Sequence, residues 1–187
     1  MKERKFVFHG HPETFKSSYE QDKYWDEELR RWHDGYEGLD ARHYAYLTCG
    51  TLRTVNGALI RPVWRDGDEF VFEQDAISIK QEHDLVIVKR REFGLTSIYG
   101  GFMPIYNSII YPGTTQLLTS ADKDRVKTIF TEKVIPMYDN LPKEIQPKRL
   151  AERAEGLLRF GIKDGSGIIR GNDSKIICKE TADNDRN

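Results

Sequence analysis

The chain has 187 residues, enough to bury one compact core with or without a small appendage. With 38% hydrophobic and 32% charged residues and a formal net charge of -1, it reads as polar and globular, which excludes a largely disordered chain and any molecule-wide field drawing in nucleic acid or anionic membrane. Cys49 and Cys178 stand far apart without a C-x-x-C pair, against a disulfide scaffold or zinc knuckle.

At the N-terminus, MKERKFVFHG lacks the apolar segment of a signal peptide, and no run reaches membrane-spanning length, so a soluble intracellular protein is expected. His9 and His11 form an H-x-H with no third ligand at a useful spacing and with Pro12 following, which reads as a loop rather than a metal site. His33, His43 and His83 are isolated and read as structural. From Phe15 to His33, the residues Tyr24, Trp25, Leu29 and Trp32 recur at helical spacing, and Asp34-Gly35 marks the end. Such a stripe packs on the protein itself more readily than it stacks on bases. Residues 39–52 suit helix and strand alike. Asn56-Gly57 marks a turn, ALIRPV after it a short extended stretch, and the spacing then predicts a helix from about Asp68 to about Gln81.

The next stretch, DLVIVKRREFGLTS from Asp84 to Ser97, organises the expected fold. Leu85 to Val88 has the length and β-branched content of a buried strand. It breaks into Lys89, Arg90, Arg91 and Glu92, then meets Phe93, Gly94, Leu95 and the hydroxyl pair Thr96 and Ser97. Phosphate-binding loops use this layout: inward-pointing backbone N–H groups surround an anion, a glycine allows close approach, and the following helix adds its positive end. The nine residues from Lys89 to Ser97 are therefore the nucleotide-binding candidates, with Thr96 as the Mg²⁺ ligand. The full pattern G-x-x-x-x-G-K-[ST] is not met, because Lys89 stands at the first glycine and Leu95 at the lysine.

A helix is expected from Thr96 to Ile110, although an interior glycine costs about 1 kcal/mol and an interior proline about 3 kcal/mol. Gly100, Gly101 and Pro104 therefore predict a bent helix, or one packed too closely on the sheet to allow side chains. Thr114 to Ser120 reads as a second strand, parallel to Leu85–Val88 through a right-handed crossover. Val126, Ile129, Phe130, Val134 and Met137 give the strongest helical pattern in the chain, over Ala121 to Tyr138. After a charged connector with room for a short helix, LLRFGI, SGIIRG and KIICKE read as antiparallel strands added at a sheet edge, and the tail from Glu180 as polar and frayed. The expected fold class is α/β: an N-terminal helical or lid region over 1–80, then a partial P-loop NTPase-type parallel sheet core over 81–187 with antiparallel edge strands at its C-terminal end.

Taken together, KRREFGLTSI and YPGTTQLLTSADKDRVKTIFTEKVIPMYDNLP resemble the large subunit of phage terminase, the ATPase motor that packages DNA into a viral prohead. DKYWDEELRRWHDGYEGLDARHYAYL and IRPVWRDGDEF are similar to the segment before that family's ATPase core, and LRFGIKDGSGIIRG to its edge strands, so the resemblance spans most of the chain. It implies ATP and Mg²⁺ as cofactors, Arg91 as the loop arginine that reaches the β/γ-phosphates and stabilises charge in phosphoryl transfer, Gly94 as the second loop glycine and Thr96 as the Mg²⁺ ligand. It also implies a phage protein working in the host cytoplasm on double-stranded DNA, with portal protein and small terminase subunit as partners, in a homo-oligomeric ring.

The chain departs from that pattern at Leu95, in having no match to the family's adenine-contacting glutamine around Trp64 to Glu69, and in having no apolar strand that ends in Asp-Glu. The family places that strand and a nuclease domain further on, so an N-terminal piece of a longer protein is expected, with little turnover of its own. Two other readings fit the residues: another nucleic-acid-dependent P-loop translocase or helicase, or a noncatalytic module whose basic loop holds a partner or DNA phosphates.

Overall fold

A computed structural model describes residues 6–54, 56–88, 94–150 and 155–181. They form a mixed α/β protein in two compact units, one drawing on 1–50 and 60–93, the other on 51–59 and 94–187. Among the described residues no helix is long and apolar enough to cross a membrane.

Three helices build the first unit: α1 (Ser18–Asp34), α2 (Ala41–Cys49) and α3 (Asp66–Lys80). A Ser-x-x-Glu pair opens α1, with the Ser17 hydroxyl accepting from the Glu20 amide at 3.2 Å, and Gly35 at φ 87 closes it. The aromatic stripe turns inward as expected, with Trp25 and Trp32 buried. Every residue of α2 from Arg42 to Cys49 is buried. A helix enclosed on all sides has no polar face, which is why 39–52 carries no decisive periodicity.

This core is partly polar. Tyr44 donates to the buried Glu28 carboxylate, with both oxygens 3.0 Å from its hydroxyl, and Arg31 reaches the same carboxylate at 3.2 Å. Arg42 is held by Asp40 at 3.1 Å and by Asp75, and Arg65 grips the buried Asp68 through two bonds of 2.8 and 2.7 Å. The His43 ring is sandwiched between Trp64 and Phe72, each with its centroid 4.9 Å away. His11 is equally enclosed by partners, its ring nitrogens 2.9 Å from the Tyr24 hydroxyl and 3.3 Å from the Cys49 sulfur.

A short hairpin, β1 (Leu52–Arg53) and β2 (Leu59–Ile60), turns at Asn56-Gly57 as expected, with Gly57 at φ 85. The second unit continues with α4, one helix in three consecutive segments: α-helical Leu95–Ser97, π-helical Ile98–Phe102 and α-helical Met103–Ile110. β3 (Thr115–Ser120) leads into α5, again α-helical (Lys123–Ile129), π-helical (Phe130–Val134) and α-helical (Ile135–Asp139). β4 (Leu157–Arg159), a hairpin of β5 (Ile162–Lys163) and β6 (Ile169–Arg170), and β7 (Lys175–Glu180) follow. The main sheet has the order β3-β7-β4, with β7 parallel to β3 and antiparallel to β4. Ile98, Phe102, Ile105, Val134, Met137, Leu158 and Ile176 fill the core between sheet and helices.

Three expectations are corrected. Leu85–Val88 is not a strand: it has no regular structure, and Val86 and Val88 are 84% and 96% exposed, so its aliphatic side chains have found no sheet to enter. The parallel partner of β3 is therefore not that segment but KIICKE, which forms the centre of the sheet rather than an edge. The β5–β6 hairpin stays outside the main sheet and pairs only with itself among the described residues. Of the tail expected to fray from Glu180 onward, Glu180 instead closes β7 and the Thr181 amide donates to the Ser120 carbonyl at 3.0 Å, while 182–187, and part of the charged connector, lie outside the described residues.

Burial pushes the His43 ring down from 6.5 to about 4, so an unfolded chain takes up this proton before the folded one does. The contribution to stability is complete above about pH 6.5 and is lost as pH falls toward 4, by up to about 3 kcal/mol. All three tryptophans lie in this unit and report its unfolding. Urea titrations followed by tryptophan fluorescence at pH 7, 5.5 and 4.5 should show wild type losing stability relative to His43→Leu at each step down; a difference that stays constant with pH would contradict the burial argument.

Candidate functional site

Of the nine loop candidates, Lys89, Arg90, Arg91, Glu92 and Phe93 lie outside the described residues, and Gly94 to Ser97 form the start of α4. Gly94 sits at φ 90, a left-handed conformation that favours glycine, and its carbonyl accepts the Ser97 amide at 2.9 Å. As the N-cap residue it brings no side chain to the first-turn amides, so the Leu95 and Thr96 amides have no side-chain cap, while the Ser97 amide is taken by the Gly94 carbonyl. Thr96 and Ser97 are half-buried. Leu95 is only 6% exposed, so the residue standing in the lysine position belongs to the core.

Glycines set the path of α4. A Cβ on Gly100 would lie 3.2 Å from the Ile129 methyl and 3.4 Å from the Thr96 methyl; one on Gly101 would lie 3.2 Å from Lys133 Cβ and 3.3 Å from the Lys133 carbonyl oxygen. The sequence predicts close packing here, but the close partner is α5, not the sheet. Both helices carry their π-helical segment at this crossing, a distortion that often accompanies functional sites.

The far end of α4 is tied to the amino-terminal edge of the sheet. Asn107 donates to Gln116 at 3.2 Å, and Asn172, just ahead of β7, donates to the Ser108 carbonyl at 2.7 Å. From Ser108 back to Gly94 the helix rises about 21 Å, against about 17–20 Å for a strand of this length. α5 leaves the carboxyl edge of β3 and meets α4 midway, so the start of α4 points to the carboxyl edge of the parallel pair, where open α/β sheets bind their ligands.

Carboxylates stand at that edge as well. Asp122 caps α5, accepting from the Asp124 and Arg125 amides at 2.9 and 3.2 Å, and Glu180 ends β7 opposite Ser120. Glu180 was expected to open a polar tail rather than to end an apolar run; it is the last residue of the KIICKE strand. Among the described residues no three His, Cys, Asp or Glu side chains form a metal cage. Mg²⁺ bound with a nucleotide takes most of its ligands from phosphate and water, so an uncapped helix start with a first-turn hydroxyl fits Mg·ATP.

A concavity of about 560 Å³ lies within the first unit between 6–11 and 61–66. Its polar groups are largely engaged elsewhere, Arg61 with the Gly50 carbonyl at 3.4 Å and His11 with Tyr24 and Cys49. Compared with known proteins, the chain matches no protein-family profile, and no curated protein sequence matches it significantly.

Gly101→Val drives two methyl groups toward the α5 backbone and should destabilise the protein by about 1–3 kcal/mol. Gly165→Ala, which meets nothing within 4 Å, should cost less than about 0.5 kcal/mol. Thermal unfolding of the two variants checks the comparison, and equal melting temperatures would remove the close helix crossing as a constraint.

Proposed function

We propose that this chain is the ATP-binding part of a terminase large subunit, the motor that drives double-stranded viral DNA into a prohead. The observation that carries this reading is the glycine-led, uncapped start of α4 at the carboxyl edge of a parallel strand pair. It joins the resemblance of KRREFGLTSI and of the strand and helix that follow it.

On this reading Gly94 lets the backbone approach the phosphates, and the first-turn amides with the helix dipole hold their negative charge. Thr96 offers its hydroxyl to Mg²⁺. Leu95 is committed to the core, so positive charge must come from the other side of the glycine, from Lys89, Arg90 and above all Arg91. Bound Mg·ATP supplies the transferable phosphoryl group, and the metal neutralises part of its charge. DNA, portal protein and small subunit as partners, and assembly into a ring, follow from the resemblance and belong to the proposal.

Calorimetric titration of a slowly hydrolysed Mg·ATP analogue into the chain tests it, beside Arg91→Ala and Thr96→Ala. Loss of a charged contact to phosphate should weaken binding about tenfold or more for Arg91→Ala, and loss of the metal ligand should weaken it only when Mg²⁺ is present. Leu95→Lys is not a clean probe, because it puts an ammonium group into the core. A folded wild-type chain that binds no nucleotide, yet binds DNA in a salt-dependent way, would replace this reading with the noncatalytic module.

A further inference from the structure

Among the described residues of its own unit, the main sheet is covered on one face only. Gln116, Ile176 and Leu158 align across the three strands toward the helices, with Ile176 and Leu158 fully buried. The opposite face carries three rows in register: Thr115, Lys175 and Arg159; then Leu117, Ile177 and Leu157; then Thr119 and Lys179. An apolar row is thus bracketed by cationic ones, and its outermost member, Leu117, is 60% exposed. Parallel strands are ordinarily covered on both faces, most often by helices.

Charge and spacing narrow what fits. The same face of a second molecule would set lysine against lysine. Single-stranded nucleic acid asks for aromatic stacking platforms, and this face has none. A helix with a carboxylate between two exposed apolar side chains suits both the aliphatic row and the lysines that flank it, and the chain itself carries one. On α3, Phe70 is 60% and Ile77 45% exposed, and Asp66 and Glu73 lie exposed along the same side. Phe70 and Ile77 stand about 10.5 Å apart along the helix, and Leu117 and Leu157 about 9.6 Å apart across two strand spacings.

We propose that α3 of a second copy of this chain docks on the outer face of the β3-β7-β4 sheet, with Phe70 and Ile77 over the Leu117–Ile177–Leu157 row and Glu73, which lies between them along the helix, over β7 between Lys175 and Lys179. The two surfaces differ, so the contact is heterologous and adds copies head to tail. It depends on neither the loop nor a nucleotide, so it stands or falls apart from the ATP-binding reading.

Sedimentation velocity over a concentration series tests it. Wild type should self-associate, less so at high salt. Leu117→Glu and Phe70→Lys, both at exposed positions, should each weaken association about tenfold or more. The decisive sample is their equimolar mixture. The intact α3 of the first variant meets the intact sheet face of the second, so the mixture should form a heterodimer and stop there. Lys179→Glu, the mildest change, should weaken association a few-fold and regain it when mixed with Glu73→Lys. Circular dichroism verifies that each variant is folded. A wild type that stays monomeric overturns the proposal, as does a mixture that stays monomeric. Association abolished by Leu117→Glu but untouched by Phe70→Lys also overturns it, and assigns the face to a different occupant.

Discussion

The second unit depends on how closely α4 can approach α5. At Gly100 and Gly101 the two helices come within a distance that a single added methyl group would strain, and both are π-helical where they meet. Widening each turn at the crossing moves side chains off the regular helical rows, which lets Ile129 and Lys133 lie against bare backbone. The consequence is directional. With the crossing pinned midway and Asn107 and Asn172 fixing the far end at the amino-terminal edge of the sheet, the glycine-led start of α4 is directed away from that edge. The same glycines that weaken the helix locally therefore aim it, and propensity yields to packing.

How much of this was legible in the sequence depended on whether the signal was local. α5 was plain because its apolar residues repeat on one face, and α3 lies within two residues of its expected limits. α2 was ambiguous for a physical reason: a helix buried on every side presents no alternation to read. The errors came where local preference needs a distant partner. Leu85–Val88 and KIICKE are both short β-branched runs, but only the second meets β3, pairing Leu117 with Ile177 across sixty positions of chain. Nothing within either segment states which of the two will be paired, because strand preference expresses fit to a pleated, half-buried surface.

The candidate site was legible to the same degree. A glycine followed by a hydroxyl pair marked a turn into a helix, and Gly94 does take the left-handed conformation that such a turn requires. Leu95 looked like a lost lysine; its burial makes it a core residue instead, and on the proposed reading positive charge comes from the basic run before the glycine. Glu180 was read as the head of a polar tail because its place at a strand end requires knowing that β7 runs parallel to β3. A carboxylate gains meaning from the edge it occupies, and edges are set by topology rather than by sequence neighbours.

The two units also differ in what fills their cores. The second is almost wholly aliphatic and aromatic, whereas the first buries Glu28, Arg42, His43, Asp68 and Asp75 among its helices. Burial pushes the Glu28 and Asp68 carboxyls above their usual range, so each is costly to hold ionised, and their hydrogen bonds to Tyr44 and Arg65 offset part of that cost. Apolar side chains of similar volume would serve stability at least as well. What the polar pairs add is geometry: Glu28 joins α1 to α2 through Tyr44, and Asp75 joins α2 to α3 through Arg42, each contact satisfied in one arrangement of the helices only. The first unit is thus organised for a defined helix arrangement, and that arrangement leaves the Phe70 and Ile77 side of α3 turned outward, uncovered by the described residues of its own unit.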